Sequence, residues 1–88
     1  MNYTLGQVVS SIAGRDAGKR FIVVKIVNES YVLISDGDLR RIEKPKKKKV
    51  KHLKFTGEII DFLNEKLEKK AKITNTEIKR ALEVTLDE

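Results

Sequence analysis

Apolar residues in the first half of the chain fall into short runs separated by turn residues. The runs predict strands at residues 6–13, 20–27 and 31–34, because they are enriched in valine, isoleucine and aromatic residues that favour extended backbone. Gly14 and Gly18 bracket the turn between the first two strands, since glycine readily takes the positive φ angles of tight turns. The second and third strands are expected to form a hairpin.

Turn signals continue this β pattern towards the middle of the chain. The Asp-Gly-Asp sequence at residues 36–38 is a strong hairpin signal and predicts a fourth strand at 39–43. Pro45 ends that strand, because proline has no N–H to donate to a strand ladder. The lysine-rich segment 44–51 is then expected to be a loop, with a short fifth strand at 50–53. Five short strands linked by tight turns predict a mainly β fold, a small open barrel of the SH3-like kind.

Apolar residues recur at three- and four-residue spacing in the last third of the chain, which indicates helices. Thr56 is the expected N-cap of a first helix at about 57–70. Thr74 and Glu77 have the spacing of a capping box and predict a second helix at 75–84. Helices this short are marginal alone, so we expect a two-helix hairpin that packs on the barrel.

The two patterns divide the chain into a β part at residues 1–55 and a helical part at residues 56–88. A chain of 88 residues is long enough for one small domain with a short appendage. Its net charge of +6 is unevenly placed, because residues 44–54 contain seven lysines and no acidic residue. Such a local block of positive charge is typical of a surface that binds a polyanion.

Few residues of the chain suit catalysis or metal binding. It contains no cysteine and a single histidine, His52, so a zinc site has almost no ligands. His52 also has no identifiable nucleophile partner, which favours packing or a phosphate contact over catalysis. The turn at residues 14–20 lacks the Gly-x4-Gly-Lys-Ser/Thr spacing of a phosphate-binding P-loop. We therefore expect neither an enzyme nor a cofactor.

No apolar stretch approaches the length of a membrane span. The longest uninterrupted apolar runs have four residues, whereas a spanning helix needs about 20. The absence of cysteine fits a reducing compartment. These features predict a soluble cytoplasmic protein with no membrane or small-molecule partner.

Four segments of the β part carry a resemblance to a known family. Residues 5–56 resemble the KOW-domain ribosomal proteins, and most closely the fourteen-e family of the archaeal and eukaryotic large ribosomal subunit. The matching segments are Gly6-Gln7-Val8-Val9, Ala13-Gly14-Arg15-Asp16-Ala17-Gly18-Lys19, Tyr31-Val32-Leu33-Ile34 and Val50-Lys51-His52-Leu53-Lys54. The segment between Asp36 and Arg40 is shorter than in many members, and the part after Thr56 does not align to the family. A stand-alone bacterial relative is the expected type.

The resemblance implies that the KOW loop and the nearby basic strand ends contact ribosomal RNA. By position, that role falls to Arg15, Lys19, Arg20, Arg40, Arg41, Lys51 and His52. The charge block adds Lys46, Lys47, Lys48 and Lys49 as phosphate contacts. Gly14 and Gly18 would let the turn approach an RNA backbone closely. The expected partner is ribosomal RNA or another structured RNA, with the large ribosomal subunit as a further candidate.

Each of these features also has a simpler interpretation. The lysine run can be a solvated loop, and the two glycines can be ordinary turn residues. Phe21, Tyr31 and Phe62 fall in apolar patterns and are assigned to the core, which disfavours base stacking and favours recognition of folded RNA by shape. The main rival is an SH3-like protein-interaction module acting in transcription or translation, with the acidic helices as its docking surface. DNA binding is less favoured, because no helix bears a basic face suited to the major groove.

Overall fold

The chain folds into a five-stranded antiparallel sheet with two helices against one face, in a computed structural model that describes residues 3–84. The strands are β1 (Gln7–Ser11), β2 (Arg20–Ile26), β3 (Tyr31–Ser35), β4 (Lys46–Lys49) and β5 (Leu53–Ile59). Their order across the sheet is β4-β3-β2-β1-β5. The helices are α1 (Asp61–Glu68) and α2 (Asn75–Val84), and short 3₁₀ helices occupy Gly14–Asp16 and Val50–His52.

Both faces of the central strands are buried, which explains the unbroken apolar run at residues 21–24. Side chains alternate along a strand, so the members of this run enter two different clusters. Phe21 and Val23 lie in a cluster built by the sheet itself, together with Val9, Val32, Ile34 and Leu53. Ile22 and Val24 lie in a cluster shared with the helical part, whose members include Val8, Leu63, Ile73, Ile78 and Ala81.

A short connection forces the sheet to curl. The 3₁₀ helix Val50–His52 is the whole link between β4 and β5, which are the two edges of the sheet. Three linking residues span at most about 14 Å between the flanking Cα atoms, whereas the edges of a flat five-stranded sheet lie about 19 Å apart. The link is hydrogen-bonded to the segment before β3 and to the segment after β1. Val50 N–H donates to Ser30 O at 2.9 Å, and Ile12 N–H donates to His52 O at 2.9 Å.

The fold is mainly β with a helical appendage, as predicted, but the SH3-like barrel of the KOW type is not confirmed. Within the described residues, β4 pairs only with β3, and β5 pairs only with β1. The first three strands and the hairpin of β2 and β3 are confirmed, with ends that differ by at most two residues from the prediction. The division of the chain at residue 55 into two units stays a prediction.

The predicted lysine-rich loop 44–51 is wrong, because its centre is a strand. Lys46–Lys49 form β4, whose four residues pair with Tyr31 to Ile34 of β3. An edge strand tolerates lysines, since their amino groups reach solvent while the backbone pairs on one side. The strand predicted at 50–53 is a 3₁₀ helix that ends where β5 begins.

The strand predicted at 39–43 is also wrong, because backbone N–H groups of this segment form hydrogen bonds with side chains and do not pair with a strand. The Asp36 carboxylate accepts hydrogen bonds from the N–H groups of Asp38 and Arg40, both at 2.9 Å, and holds a tight turn. Ile42 N–H donates to Asn75 Oδ1 of α2 at 2.7 Å. This segment therefore belongs to the junction between the sheet and α2.

The first helix begins later than predicted. β5 continues to Ile59, and α1 spans Asp61–Glu68 in place of the predicted 57–70. Thr56 is not an N-cap, because it lies within β5 and its hydroxyl donates a hydrogen bond to Val8 O of β1 at 2.9 Å. The second helix is confirmed at 75–84. Its capping box is present, since Glu77 N–H donates to Thr74 Oγ1 at 3.2 Å and Thr74 N–H donates to the Glu77 carboxylate at 2.9 Å.

Two asparagines fasten the helices to the sheet. Asn64 of α1 donates through Nδ2 to Leu5 O at 2.7 Å, just before β1. Asn75 of α2 accepts from Ile42 N–H and donates through Nδ2 to the Glu43 carboxylate at 2.9 Å. Lys66 Nζ of α1 contacts Glu77 Oε2 of α2 at 2.6 Å and ties the helices to each other. None of the helices within residues 3–84 is long and apolar enough to cross a membrane.

We expect Gly37→Ala to destabilise the fold more than Gly57→Ala. Both glycines have positive φ, 76° and 86°, so each alanine carries a backbone cost of about 1–2 kcal/mol. Only at Gly37 would the new Cβ collide with backbone, the Asn75 carbonyl at the start of α2. That clash should add about 1–3 kcal/mol, measured by urea unfolding of the two variants. Equal losses would show that α2 does not pack closely on this turn.

We expect Glu77→Gln to destabilise the protein at neutral pH, with an effect that disappears in acid. The hydrogen bond from Lys66, aided by Thr74 N–H, holds the pKa of Glu77 below its ordinary value of 4.5. A lowered folded-state pKa stabilises the protein above about pH 4.5, and this stabilisation is lost as pH falls through the folded value. Urea unfolding from pH 7 to pH 3 measures the difference between variant and parent. Glu65→Gln is the control, because its pair with Lys69 is exposed and 3.6 Å long.

Candidate nucleic-acid interface

The turn between β1 and β2, residues 14–19, is here called the glycine turn. Gly14 and Gly18 have φ angles of 75° and 86°, which confirms the positive φ predicted for both. Gly18 N–H donates to Ser11 O at 2.8 Å, and Ser11 N–H donates to Lys19 O at 2.9 Å, so the turn closes on the end of β1. A Cβ at Gly18 would meet no atom within 4 Å. The surface over this glycine is therefore open.

A charged pair holds the glycine turn against the neighbouring loop. Asp16 is buried, with 6% of the residue exposed. Its carboxylate accepts a hydrogen bond from Arg40 Nη2 at 3.3 Å, and the Arg40 side chain is 36% exposed. Arg40 therefore fixes the shape of the turn and keeps part of its guanidinium accessible to an anion.

The lysines of β4 point to two sides of the sheet edge. Lys47 and Lys49 are exposed, whereas Lys46 and Lys48 are half-buried. Lys48 Nζ lies 3.5 Å from Ala13 O, next to the glycine turn. Lys47 Nζ lies 4.7 Å from the centre of the Tyr31 ring. The fold thus brings the predicted lysine block and the predicted KOW turn together, although they are about thirty residues apart in sequence.

The other predicted residues lie around these two features. Arg15 and Lys19 are exposed on the glycine turn. Arg20 is the first residue of β2 and is half-buried. Lys51 and His52 lie in the 3₁₀ link, with Lys51 exposed and His52 half-buried.

Arg41 belongs to a different environment. Its Nε lies 3.6 Å from Glu43 Oε1, and the Glu43 carboxylate also receives both hydrogen bonds of the Asn75 amide. The Asn75 hydrogen bonds, with a smaller contribution from the charge of Arg41, lower the pKa of Glu43 from its ordinary 4.5. Glu43 therefore offsets part of the charge of Arg41.

Two aromatic residues that the sequence assigns to the core lie outside it. Phe62 of α1 is 45% exposed. Tyr31 was predicted to be core, but it is half-buried at the sheet edge, directly across the ladder from Lys49. The alternation of side chains along β3 predicts this position for Tyr31, because Val32 and Ile34 are fully buried and Tyr31 does not lie on the same face as Val32. No group of three His, Cys, Asp or Glu side chains within residues 3–84 is arranged to hold a metal ion.

No known protein-family model matches the sequence. The chain is 32% identical over 58 residues to large ribosomal subunit protein eL14 of Staphylothermus marinus, which covers 66% of this chain and 60% of that protein. It is 34% identical over 58 residues to eL14 of Pyrobaculum aerophilum, covering 56% of that relative. It is 30% identical over 79 residues to eL14 of Pyrobaculum calidifontis, covering 90% of this chain and 70% of the relative. The chain belongs to the eL14 family.

The extent of these matches refines the resemblance seen in the sequence. The match to the Pyrobaculum calidifontis eL14 takes in 90% of the chain, so it cannot end before the helices. The expectation that the part after Thr56 has no counterpart in the eL14 family is therefore wrong. The chain spans about 60% of the length of the first eL14 relatives it matches.

We expect Arg40→Ala to destabilise this eL14 chain by about 1–2 kcal/mol, because it leaves the buried Asp16 carboxylate without its ion pair. Arg41→Ala is the matched control. Arg41 and Glu43 are 59% and 67% exposed, and such pairs contribute about 0–1 kcal/mol. Thermal unfolding followed by circular dichroism compares the two. An Arg40→Ala loss no larger than that of Arg41→Ala would mean that the pair does not hold the glycine turn.

Proposed function

We propose that this eL14-family chain binds folded ribosomal RNA of the large ribosomal subunit and braces it by neutralising phosphates. The family relatives are large ribosomal subunit proteins by name. The proposed role involves no chemical reaction and no cofactor, and its place is the cytoplasm. The RNA-contacting residues proposed are those of the glycine turn, β4 and the 3₁₀ link.

The observation that carries this proposal is the meeting of β4 with the glycine turn. Lys48 Nζ lies 3.5 Å from Ala13 O, so cations from two distant parts of the chain share one surface. Arg15 and Lys19 are exposed on the glycine turn, and Lys47 and Lys49 are exposed on β4. Each cation that neutralises a phosphate releases condensed counterions, which favours binding.

The strand conformation of β4 supports tight binding better than a flexible loop would. Paired backbone fixes where each lysine stem begins, so fewer degrees of freedom are lost when RNA binds. Because neighbouring side chains alternate, the four amino groups spread over both sides of the edge. Such an edge can contact two RNA backbone segments that approach from different directions.

The rival interpretation, a protein-docking surface on the helices, has less support. Leu63 of α1 and Ile78 and Ala81 of α2 are buried in the cluster shared with the sheet. These three side chains are therefore not available to a protein partner, and Phe62 and Val84 are the exposed large apolar side chains of the described helices.

We expect the combined change of Lys46, Lys47, Lys48 and Lys49 to glutamine to abolish RNA binding at physiological ionic strength. If about six cations engage phosphates, the slope of log affinity against log salt is about −4 to −5. Removing four of them should leave a slope of about −1 to −2. Fluorescence anisotropy of a labelled ribosomal RNA fragment, titrated at several salt concentrations, measures both quantities.

A control with the same charge change replaces four exposed lysines that do not line the cleft beside the glycine turn, Lys25, Lys69, Lys70 and Lys72, by glutamine. This control should keep most of the affinity. In native lysates run through sucrose gradients, the parent and the control should sediment with the large subunit at low salt. A parent chain that stays at the top of the gradient, or a control as weak as the β4 variant, would contradict the proposal.

A further inference from the structure

A cleft beside β4 contains Tyr31, one of the two aromatic residues that the sequence wrongly assigns to the core. It has a volume of about 290 Å³ and is lined by Ser30, Tyr31, Lys49, Val50 and Lys51. Lys47 Nζ lies 4.7 Å from the centre of the Tyr31 ring, a cation–π contact that orients the ring. Tyr31 is only half-buried and lines the cleft, so part of its side chain is accessible to a ligand.

A second cleft shares Val50 and Lys51 with the first. Its volume is about 510 Å³, and its lining adds Tyr3, Glu29, Leu53, Lys54 and Phe55. The rings of Tyr3 and Phe55 stack with centroids 5.8 Å apart and planes 30° apart. The Tyr3 hydroxyl donates to Val50 O at 3.4 Å. Both clefts that border the 3₁₀ link are therefore lined by aromatic rings.

We propose that these two clefts bind an unpaired stretch of RNA, with one base on Tyr31, another on the Tyr3–Phe55 pair and the connecting phosphates on Lys49, Lys51 and Lys54. The inference rests on the proposed function and adds a second mode to it. The bound RNA would include a single-stranded loop or end next to the folded region that β4 and the glycine turn contact.

The chemistry of the lining selects RNA over other polyanions. Stacking on aromatic rings works for every base, because each base has a flat π face, and lysines beside the rings follow the backbone. An acidic peptide would satisfy the lysines but would leave the rings without a flat partner. Glu29 is the acidic residue of the second cleft, and its carboxylate can accept a hydrogen bond from a ribose 2′-hydroxyl or a base amino group.

The test uses the tyrosine emission of the full chain. The sequence contains two tyrosines and no tryptophan, so Tyr3→Phe leaves Tyr31 as the sole strong emitter and keeps an aromatic ring at position 3. A hairpin RNA with an unpaired adenosine loop is the probe, and the blunt duplex of its stem is the comparison. The hairpin should quench Tyr31 at saturation and the duplex should not.

A second pair of variants measures affinity. Tyr31→Leu should weaken binding of the hairpin about 5- to 100-fold and leave duplex binding within about twofold. Phe62→Leu is the control, because Phe62 is an aromatic on α1 that is 45% exposed. It should change neither affinity.

The outcomes separate this inference from the proposed function. Hairpin binding seen by anisotropy without quenching of Tyr31, or an equal loss for duplex and hairpin in Tyr31→Leu, would overturn the inference and leave phosphate binding by β4 intact. Equal quenching by poly-glutamate would overturn the assignment to RNA. Failure of the parent chain to bind either RNA would overturn the proposed function together with this one.

Discussion

The structure depends on the three-residue link between β4 and β5. A link this short cannot connect the two edges of a flat sheet, so the sheet must curl until its edges approach. The same link hydrogen-bonds to Ser30 before β3 and to Ile12 after β1, which fixes the curl at both ends. The curl in turn carries Lys48 to the carbonyl of Ala13. The meeting of β4 and the glycine turn is thus a consequence of chain connectivity, and no direct charge attraction between the two is needed.

The helices stabilise the curl from the outer face of the sheet. Leu63, Ile78 and Ala81 bury Val8 and Ile22, side chains that an uncovered sheet would leave in water. The asparagines at positions 64 and 75 then satisfy backbone groups of the segments that flank β1 and follow β3. The N–H groups of Arg40 and Ile42 donate to the Asp36 carboxylate and to Asn75 Oδ1, so they are not available to a strand ladder, and residues 39–43 leave the sheet. The helical part therefore influences the interface indirectly, since the loop that carries Arg40 is held on one side by α2 and on the other by Asp16.

Sequence patterns predicted the elements whose own residues favour them. The apolar runs of β1, β2 and β3 and the capping box of α2 are local signals, and each led to the right element. β4 could not be found in this way, because four lysines have no apolar face and low strand propensity. β4 is a strand because its backbone pairs with β3. Thr56 was wrongly predicted as an N-cap because its partner is also distant in sequence. Its hydroxyl donates a hydrogen bond to the Val8 carbonyl of the neighbouring strand. The residues of the candidate interface were identifiable from charge and resemblance. The contacts that bring them together depend on the register of β3 against β4, and so does the surface position of Tyr31.

Four consecutive lysines in one strand combine two physical effects. As an edge strand, β4 exposes unpaired backbone groups that would otherwise pair with another protein chain, and a row of lysines opposes such pairing. The same row repels itself, because lysines two residues apart lie on one side of the edge about 7 Å from each other. A polyanion bound along β4 removes that repulsion in the folded state alone, so its binding also stabilises the sheet by linkage. The row of lysines that opposes pairing with another protein chain is therefore the same row to which the proposed function assigns a phosphate backbone.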